Sequence, residues 1–405
     1  MKLWYCEVIE KRNHMETAAV NDKLRKLGTT AYYMALAIEL AIVLIDKSAF
    51  TNPIEGRLFQ VTFVLLVLKI MMTQYTTKEW ITMIGFAILG AISYFATERN
   101  DIIRIVVFVA ATKGISLRNM LKIVFYTILS GTVLLMVLSL MGVLGEVSVT
   151  APYRGDLVET RYTLGLGHPN ALHCMIWSLV ILGIYLYFDQ LKWYAYLLLF
   201  LGNIGLFLLT DSKTGVIITT LTILAAACLY AFPKLQRFKW IYLLGALAVL
   251  GCFFISLVAS KYGYRPGPLM GIDQYVTGRI RWSYYYGGIP FWSLFSVPDN
   301  NIYFDMGLMR LFYWYGIVPG VTYLVVHLLM IRDCSREKDS MALLVIVMFS
   351  IYTVFEAHAV SVYILRNYVI LLLAGSWSRV FMVTGGRTYY VWRVFATGEN
   401  HLESN

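Results

Sequence analysis

The chain has 405 residues, of which 59% are hydrophobic and 14% are charged. So little charge excludes a soluble globular domain, because polar side chains could not cover its surface, and it indicates a membrane protein. The formal net charge of +10 would suggest nucleic acid as a partner of a soluble protein. Here much of the positive charge falls in short loops and tails, where membrane proteins carry orientation signals, so we expect no nucleic-acid partner.

The N-terminal segment, residues 1–28, is polar and has Lys23, Arg25 and Lys26 directly before the first apolar run. A cleaved signal peptide has a different pattern, with a short basic region followed at once by an apolar stretch. We therefore expect residues 29–45 to be an uncleaved anchor that follows a cytoplasmic N-terminal segment.

Long apolar runs recur along the chain, and most are close to the roughly 20 residues of a transmembrane helix. The predicted spans are residues 29–45, 58–75, 80–96, 102–111, 121–141, 169–187, 194–210, 215–232, 240–260, 307–331, 341–357 and 362–378. The fourth span is short for a crossing. No fixed-period repeat occurs, so we predict one all-α polytopic membrane domain, residues 1–405, with about twelve transmembrane helices.

Alternation from a cytoplasmic N-terminus places residues 233–239, 332–339 and the tail 379–405 in the cytoplasm, and all three segments are basic, as expected. Two long loops, residues 142–168 and 261–306, then lie on the outer face. The second loop is far longer than a connector needs, and its aromatic content argues against disorder. We interpret it as the working part of a membrane enzyme.

The first candidate site is the segment RYTLGLGHPN, residues 161–170. Gly165 and Gly167 allow close backbone approach, and the following proline suits the first turn of a helix. Arg161 could bind an anion beside the helix N-terminus, or the segment could simply start a helix with His168 near its cap. The second candidate is residues 211–215, DSKTG, which offers Lys213 but is also an ordinary turn with a good N-cap.

The third candidate is TGRIRW, residues 277–282. If this segment is helical, Arg279 and Ser283 share a face while Arg281 points elsewhere, so the two arginines have different roles. Structural ion pairing with Asp273 is the alternative.

The fourth candidate is Asp305, just before the tenth span, where it could act in chemistry or cap the helix. Glu356 and His358 at the outer end of the eleventh span, and Arg366 in the twelfth, form a weaker group. Ionisable side chains at membrane depth are costly and are more often functional than structural.

The order of these motifs resembles that of the O-antigen polymerase/ligase superfamily, and the similarity covers roughly the second half of the chain. Within it, the chain is most similar to the Wzy-type polymerases of bacterial surface polysaccharide. The motifs are Arg161 with Gly165-x-Gly167-His168-Pro169-Asn170, then Ser212-Lys213-x-Gly215, Gly278-Arg279, and Asp305 eleven residues before Gly316.

Two positions depart from the family pattern. Lys213 stands where the family commonly has arginine, which weakens bidentate phosphate binding there. Ligases usually have histidine at the position of Asp305, so the aspartate favours the polymerase branch. Many polymerases continue with asparagine, where this chain has Met306.

The resemblance implies a GT-C-like fold in the bacterial cytoplasmic membrane and a concrete reaction. The enzyme would transfer a growing glycan from one undecaprenyl-pyrophosphate-linked repeat unit to a sugar hydroxyl of another, with membrane lipid, a chain-length regulator and a flippase as further partners. The predicted catalytic residues are Asp305 as base and Arg279 and Arg161 for the pyrophosphate. The predicted substrate-binding residues are Arg281, Lys213, His168, Asn170, Glu356 and Arg366.

No metal or cofactor is expected, because the outer loops contain no Asp-x-Asp pair. The five cysteines lie without metal-ligand spacing, mostly in apolar runs, and we interpret them as core residues. Several aromatic residues of the second loop could stack on sugars or lie in an interfacial belt: Tyr284, Tyr285, Tyr286 and Trp292. Alternatives to a polymerase are a ligase, a transporter or flippase of the lipid-linked sugar, and a scaffold of an assembly complex.

Overall fold

The computed structural model describes residues 2–154, 157–263, 271–273, 278–357, 360–386 and 388–390. The α-helices of these residues are α1 (Lys2–Lys47), α2 (Glu55–Met71), α3 (Thr77–Thr97), α4 (Asp101–Ala111), α5 (Leu117–Leu140), α6 (Pro169–Tyr187) and α7 (Trp193–Thr210). They continue with α8 (Lys213–Ala231), α9 (Lys239–Tyr262), α10 (Arg279–Tyr286), α11 (Gly307–Tyr315), α12 (Ile317–Glu337), α13 (Ser340–Phe355) and α14 (Tyr368–Val380). Short 3₁₀ turns lie at Phe188–Gln190, Pro233–Arg237, Ile289–Phe291 and Ile364–Arg366.

Eight helices in the described part of the chain are long and apolar enough to cross a membrane, which confirms a multi-pass, mainly α-helical membrane protein. They are Val20–Lys47 within α1, α3, α5, α6 with the 3₁₀ turn that follows it, α7, α8, α9 and α12. The other predicted spans correspond to the shorter helices α2, α4, α13 and α14, of 17, 11, 16 and 13 residues. Twelve crossings therefore stay a prediction.

Polar contacts show which loops share an end of the helix bundle. At one end, Arg366 before α14 pairs with Asp46 of α1. There the hydroxyl of Tyr315, at the end of α11, donates to Asp101, at the start of α4, at 2.6 Å. We call this the site end, because the described parts of both predicted outer loops lie there.

The opposite end carries the segments that were predicted to be cytoplasmic. Lys113 after α4 pairs with Glu79 of α3, and Arg379 of α14 pairs with Asp333 of α12. The long loops and the basic segments are thus separated as the alternation of helices predicts. The compartment that each end faces stays a prediction.

The predicted tenth span, residues 307–331, is wrong as a single helix, because the chain breaks at Gly316. This glycine has φ +98°, and a Cβ there would lie 2.6 Å from the Cα of Phe295. The backbone N–H groups of Ile317 and Val318 donate to the carbonyls of residues 293 and 294 at 2.8 and 3.0 Å. The loop before α11 therefore enters the break and satisfies the freed start of α12.

The predicted twelfth span is also wrong at its start. Asn367 caps α14, with its side chain accepting from the N–H of Val369 at 3.0 Å, so the helix begins at Tyr368 rather than at residue 362. Arg366 consequently lies in the preceding 3₁₀ turn and not inside a span.

Strands modify the all-α prediction at two places. The loop 142–168 contains an antiparallel hairpin of β2 (Ser148–Arg154) and β3 (Leu157–Tyr162), in which Arg161 is opposite Val149. At the opposite end, the two-residue strand β1 (Tyr75–Thr76) pairs with β4 (Thr388–Tyr389) of the tail. The hairpin positions Arg161.

Candidate active site at the site end

Arg279 is the centre of the first cluster. It is the first residue of α10, where Gly278 at φ +77° turns the chain into the helix. Arg279 and Ser283 are buried on one face while Arg281 is exposed, as a helical segment predicts. The Nε of Arg279 donates to the carbonyl of Phe355 at 2.6 Å.

Two carboxylates of unlike exposure share the Arg279 guanidinium. Its Nη2 donates to Oε1 of Glu356 at 2.6 Å, and its Nε lies 3.5 Å from Oδ2 of Asp305. The Glu356 side chain is 7% exposed, whereas that of Asp305 is 38% exposed. Glu356 is therefore a buried partner of Arg279, whereas Asp305 faces accessible space.

Asp305 does not cap α11. The N-cap of that helix is Met306, with no side-chain cap hydrogen bond. The alternative interpretation of Asp305 as a helix cap is therefore wrong, and its described charge partner is Arg279. An exposed carboxylate held beside a guanidinium can accept a proton or a hydroxyl hydrogen bond from a ligand.

The protonation of Glu356 is finely balanced. Burial raises the pKa of Glu356 to about 7, and the Asp305 charge raises it as well, while Arg279 acts in the opposite direction. Glu356 can thus exist as a neutral acid near neutral pH. When it does, Arg279 has more of its charge available for an anion.

Arg161 is the centre of the second cluster. It extends from β3 and donates to Oε2 of Glu159 through Nε at 3.1 Å and through Nη2 at 2.6 Å. Its Nη2 also lies 3.0 Å from Oδ2 of Asp211, the residue that ends α7 at φ +46°. The hairpin is therefore attached to the turn between α7 and α8 through a nearly buried guanidinium.

Two motif residues of the turn after Asp211, Ser212 and Gly215, have structural roles. The Ser212 side chain accepts from the N–H of Gly215 at 3.3 Å and caps α8. A Cβ at Gly215 would lie 2.4 Å from the ring of His173, so only glycine fits there. The interpretation of this motif as a capped turn is correct. Lys213 is exposed, at the first position of α8.

His168 connects the two clusters. Its Nδ1 accepts from the N–H of Asn170 at 3.1 Å, so it caps α6, as the structural interpretation predicted. Burial lowers the pKa of His168; the Asp305 charge opposes this, and the charges of Arg161 and Arg279 add to it. The charges of both arginines and of Asp305 therefore all act on the His168 imidazole.

Other predicted residues lie around this centre. Asn170 is half-buried on the first turn of α6. The backbone N–H of Arg281 donates to Oδ1 of Asp273 at 3.0 Å, so the expected contact with that acid involves the main chain. Arg366 stacks over Tyr363 at 4.0 Å, besides its pair with Asp46. His358 lies outside the described residues.

The predicted aromatic group divides into structural and accessible members. Trp292 stacks on Phe312 with 4.6 Å between ring centroids, and its Nε1 donates to the carbonyl of Gly287 at 3.0 Å. It is therefore a packing residue. Tyr285 is exposed and its ring contacts those of Tyr284 and Tyr286.

Sequence reasoning missed several buried ionisable groups. Arg104 of α4 pairs with Glu39 of α1 at 3.1 Å, with side-chain exposures of 5% and 2%, and lies over the ring of Phe59 at 3.7 Å. Arg310 in α11 is 1% exposed. The signal was present, since each is a charged residue inside an apolar run.

The fold and the site define a polytopic, mainly α-helical membrane protein with a polar, arginine-rich site at one end. Among the residues that the structure describes, no three His, Cys, Asp or Glu side chains converge as a metal site. Comparison with protein-family models, with curated proteins and with solved structures gives no match.

Proposed function

We propose that this protein is a membrane glycosyltransferase that polymerises undecaprenyl-pyrophosphate-linked repeat units on the outer face of the bacterial cytoplasmic membrane. The observation that carries the proposal is the Arg279 cluster, in which one guanidinium is shared by a buried glutamate and an accessible aspartate. The nearby Arg161 supplies a second guanidinium, and His168 senses both. The motif order described above supports the same assignment.

In the proposed reaction, the hydroxyl of the acceptor sugar attacks the anomeric carbon of the donor, and the bond from that carbon to the pyrophosphate oxygen breaks. Arg279 and Arg161 stabilise the negative charge that develops on the leaving pyrophosphate. Asp305 accepts the proton of the attacking hydroxyl. Glu356 holds Arg279 in place, and protonation of Glu356 weakens their ion pair, so that more of the guanidinium charge acts on the phosphate oxygens.

The location of the cluster favours an enzyme over a transporter. Transporters usually bind substrate near the bilayer midplane, between two repeated halves. Here Arg279 starts α10 and Glu356 follows α13, so both lie at the ends of helices. A ligase would use the same end of the bundle. The aspartate at position 305, where ligases of the family usually have histidine, favours the polymerase.

The test uses purified protein in liposomes supplied with lipid-linked repeat units and no other enzyme. Wild type should form polymer, and Asp305→Asn should lower turnover by roughly 10²- to 10⁴-fold, the usual effect of losing a general base. Asp299→Asn is the matched control, because Asp299 is an exposed acid of the same loop. If wild type moves the lipid between leaflets without forming polymer, or if Asp305→Asn polymerises normally, the proposal fails.

A further inference from the structure

Arg310 is a buried cation with unused hydrogen-bond donors. Its side chain is 1% exposed, and Nη2 donates to the carbonyl of Ala357 at 2.8 Å and to that of Val360. Within the part of the chain that the structure describes, the Nε and Nη1 atoms have no acceptor in hydrogen-bond geometry, although the Tyr303 side chain is in contact with the guanidinium. The guanidinium lies between two rings, 4.2 Å from Tyr303 and 4.3 Å from Trp314. A buried donor left without an acceptor is costly, so a water or a ligand atom is expected to supply one.

A second arginine lies on the same indole ring. The guanidinium carbon of Arg99 is 4.4 Å from the Trp314 centroid, and its Nη2 donates to the carbonyl of Asn300 at 3.0 Å. The Nε of Arg99 is buried and also lacks an acceptor. Within the described residues, neither Arg99 nor Arg310 forms an ion pair with a carboxylate.

The neighbouring acids do not neutralise these two cations. Asp101 and Glu39 instead share Arg104. Asp305 also acts on the charge of Arg310, but among the described residues it does not form an ion pair with it. Arg99 and Arg310 are therefore two like charges held on one indole ring. Like charges held together at a partly buried place favour the binding of an anion.

An apolar groove begins beside this cation pair. It has a cavity volume of about 180 Å³ and lies between α3, α4, α12 and α14. Its lining reaches from Tyr315 and Val360 at the site end to Trp377 and Phe381 at the opposite end. Along α12 it runs from Pro319 to Met330, which is roughly 16 Å of helix. Val360 connects the two features, because it lines the groove and its carbonyl binds Arg310.

We propose that Arg99, Arg310 and this groove form a binding site for a phosphate-headed lipid, with the chain in the groove and the phosphate oxygens on the free guanidinium donors. The site differs from the Arg279–Arg161 site. The role of the Arg99–Arg310 site rests on the proposed function, in which one lipid-linked unit donates glycan and a second one accepts it. The lipid in the groove is the acceptor in that reaction.

Access to the site runs past Tyr303 and Arg99. Tyr303 covers Arg310 but is itself 61% exposed, so its ring can rotate outward with little loss of buried surface. Arg99 is half-buried and gives the incoming phosphate its first contact. Free phosphate alone would not be the complete ligand, because the apolar groove would then stay empty; an apolar chain attached to the phosphate fills it.

The experiment counts bound undecaprenyl pyrophosphate per chain by native mass spectrometry of the purified protein. Wild type should bind two molecules, and Arg99→Gln or Arg310→Gln should weaken one of the two by about tenfold or more, since each removes charge-assisted hydrogen bonds. Arg99→Gln is the safer variant for folding, because Arg99 is only half-buried. Arg57→Gln removes an exposed cation at the same end and is the control. Val106→Phe, which narrows the groove, should weaken the same molecule.

A single bound lipid in wild type, or an unchanged count in Arg99→Gln, would overturn the second site. Inorganic phosphate that displaces the second lipid at equal concentration would overturn the role of the groove. Failure of the proposed function looks different: wild type would then form no polymer, while the bound lipids would still fall from two to one in Arg99→Gln.

Discussion

At the residue scale, the site is defined by how one guanidinium is shared. Arg279 and Glu356 are 77 residues apart in sequence and meet at 2.6 Å, while Asp305 approaches the same guanidinium from the start of α11. Exposure separates the roles of the two acids, because only Asp305 is open to a substrate. Because burial raises the pKa of Glu356 to about 7, we expect its protonation to change how much charge Arg279 presents.

The first prediction concerns Glu356→Gln and its dependence on pH. A carboxyl whose pKa is raised from 4.5 to about 7 by folding stabilises the folded state below pH 4.5 and loses that contribution as pH rises through 7. Glutamine mimics the neutral acid at every pH. We therefore expect the melting temperature of Glu356→Gln, relative to wild type, to rise between pH 5 and pH 8.

The measurement is the melting temperature of both proteins in detergent across that pH range. The difference between them isolates position 356 from the other titrating groups. A variant that becomes less stable relative to wild type as pH rises would show that Glu356 is ionised in the folded protein, with a lowered pKa.

At the element scale, the break between α11 and α12 organises the loop that carries the site. Residues 293–296 enter this break, where Ser296 donates from its N–H to the carbonyl of Tyr315 at 3.2 Å and from its hydroxyl to that of Tyr313 at 2.5 Å. The short helix α11 is buried on all sides and presents Asp305 at its start. If α11 and α12 formed one continuous helix, residues 293–296 could not enter between them.

The second prediction is that Gly316→Ala is strongly destabilising. With φ +98° and ψ 179°, Gly316 has a backbone conformation that essentially only glycine adopts and that costs about 1–3 kcal/mol for other residues. The contact of a Cβ with Phe295 adds to this cost. Gly251→Ala in α9 is the matched control, because its Cβ would meet nothing within 4 Å. Melting temperatures of the two variants check the prediction. Equal stability would show that the break tolerates an ordinary residue.

At the scale of the whole molecule, the two ends of the bundle differ in charge. The opposite end has exposed cations in its short connections, among them Lys192, Lys234, Arg237 and Lys338. At the site end, several cations are instead paired with acids, as Arg161 and Arg279 are. The positive-inside bias therefore predicts that the opposite end is cytoplasmic.

The third prediction tests this orientation with single cysteines in a variant that lacks the native ones. Val158→Cys, on the exposed hairpin, should react with an impermeant thiol reagent in cells whose cytoplasmic membrane is intact. Lys234→Cys, at the opposite end, should react only after permeabilisation. The reverse pattern would place the site in the cytoplasm and would exclude the proposed outer-face reaction.

The sequence by itself determined the membrane class, most helix positions and several site residues. Apolar runs of about 20 residues are sufficient for this, because a chain in hydrocarbon must satisfy its backbone hydrogen bonds within a helix. Arg161 and Arg279 could be selected as candidates from the motifs RYTLGLGHPN and TGRIRW of the two long loops and from the order of these motifs in the chain. The length of an apolar run and the residues of a motif are properties of short stretches of the chain, so the sequence alone contains them.

Only the tertiary structure decided how these residues combine. The break at Gly316 depends on a loop that fills it, and the pairing of Arg279 with Glu356 depends on where α10 and α13 meet. Asp305 resembles a helix cap in sequence, yet it faces Arg279. The Arg99–Arg310 pair exists because α11 presents Trp314 to both cations. Such contacts follow from the packing of distant segments, which no local pattern specifies.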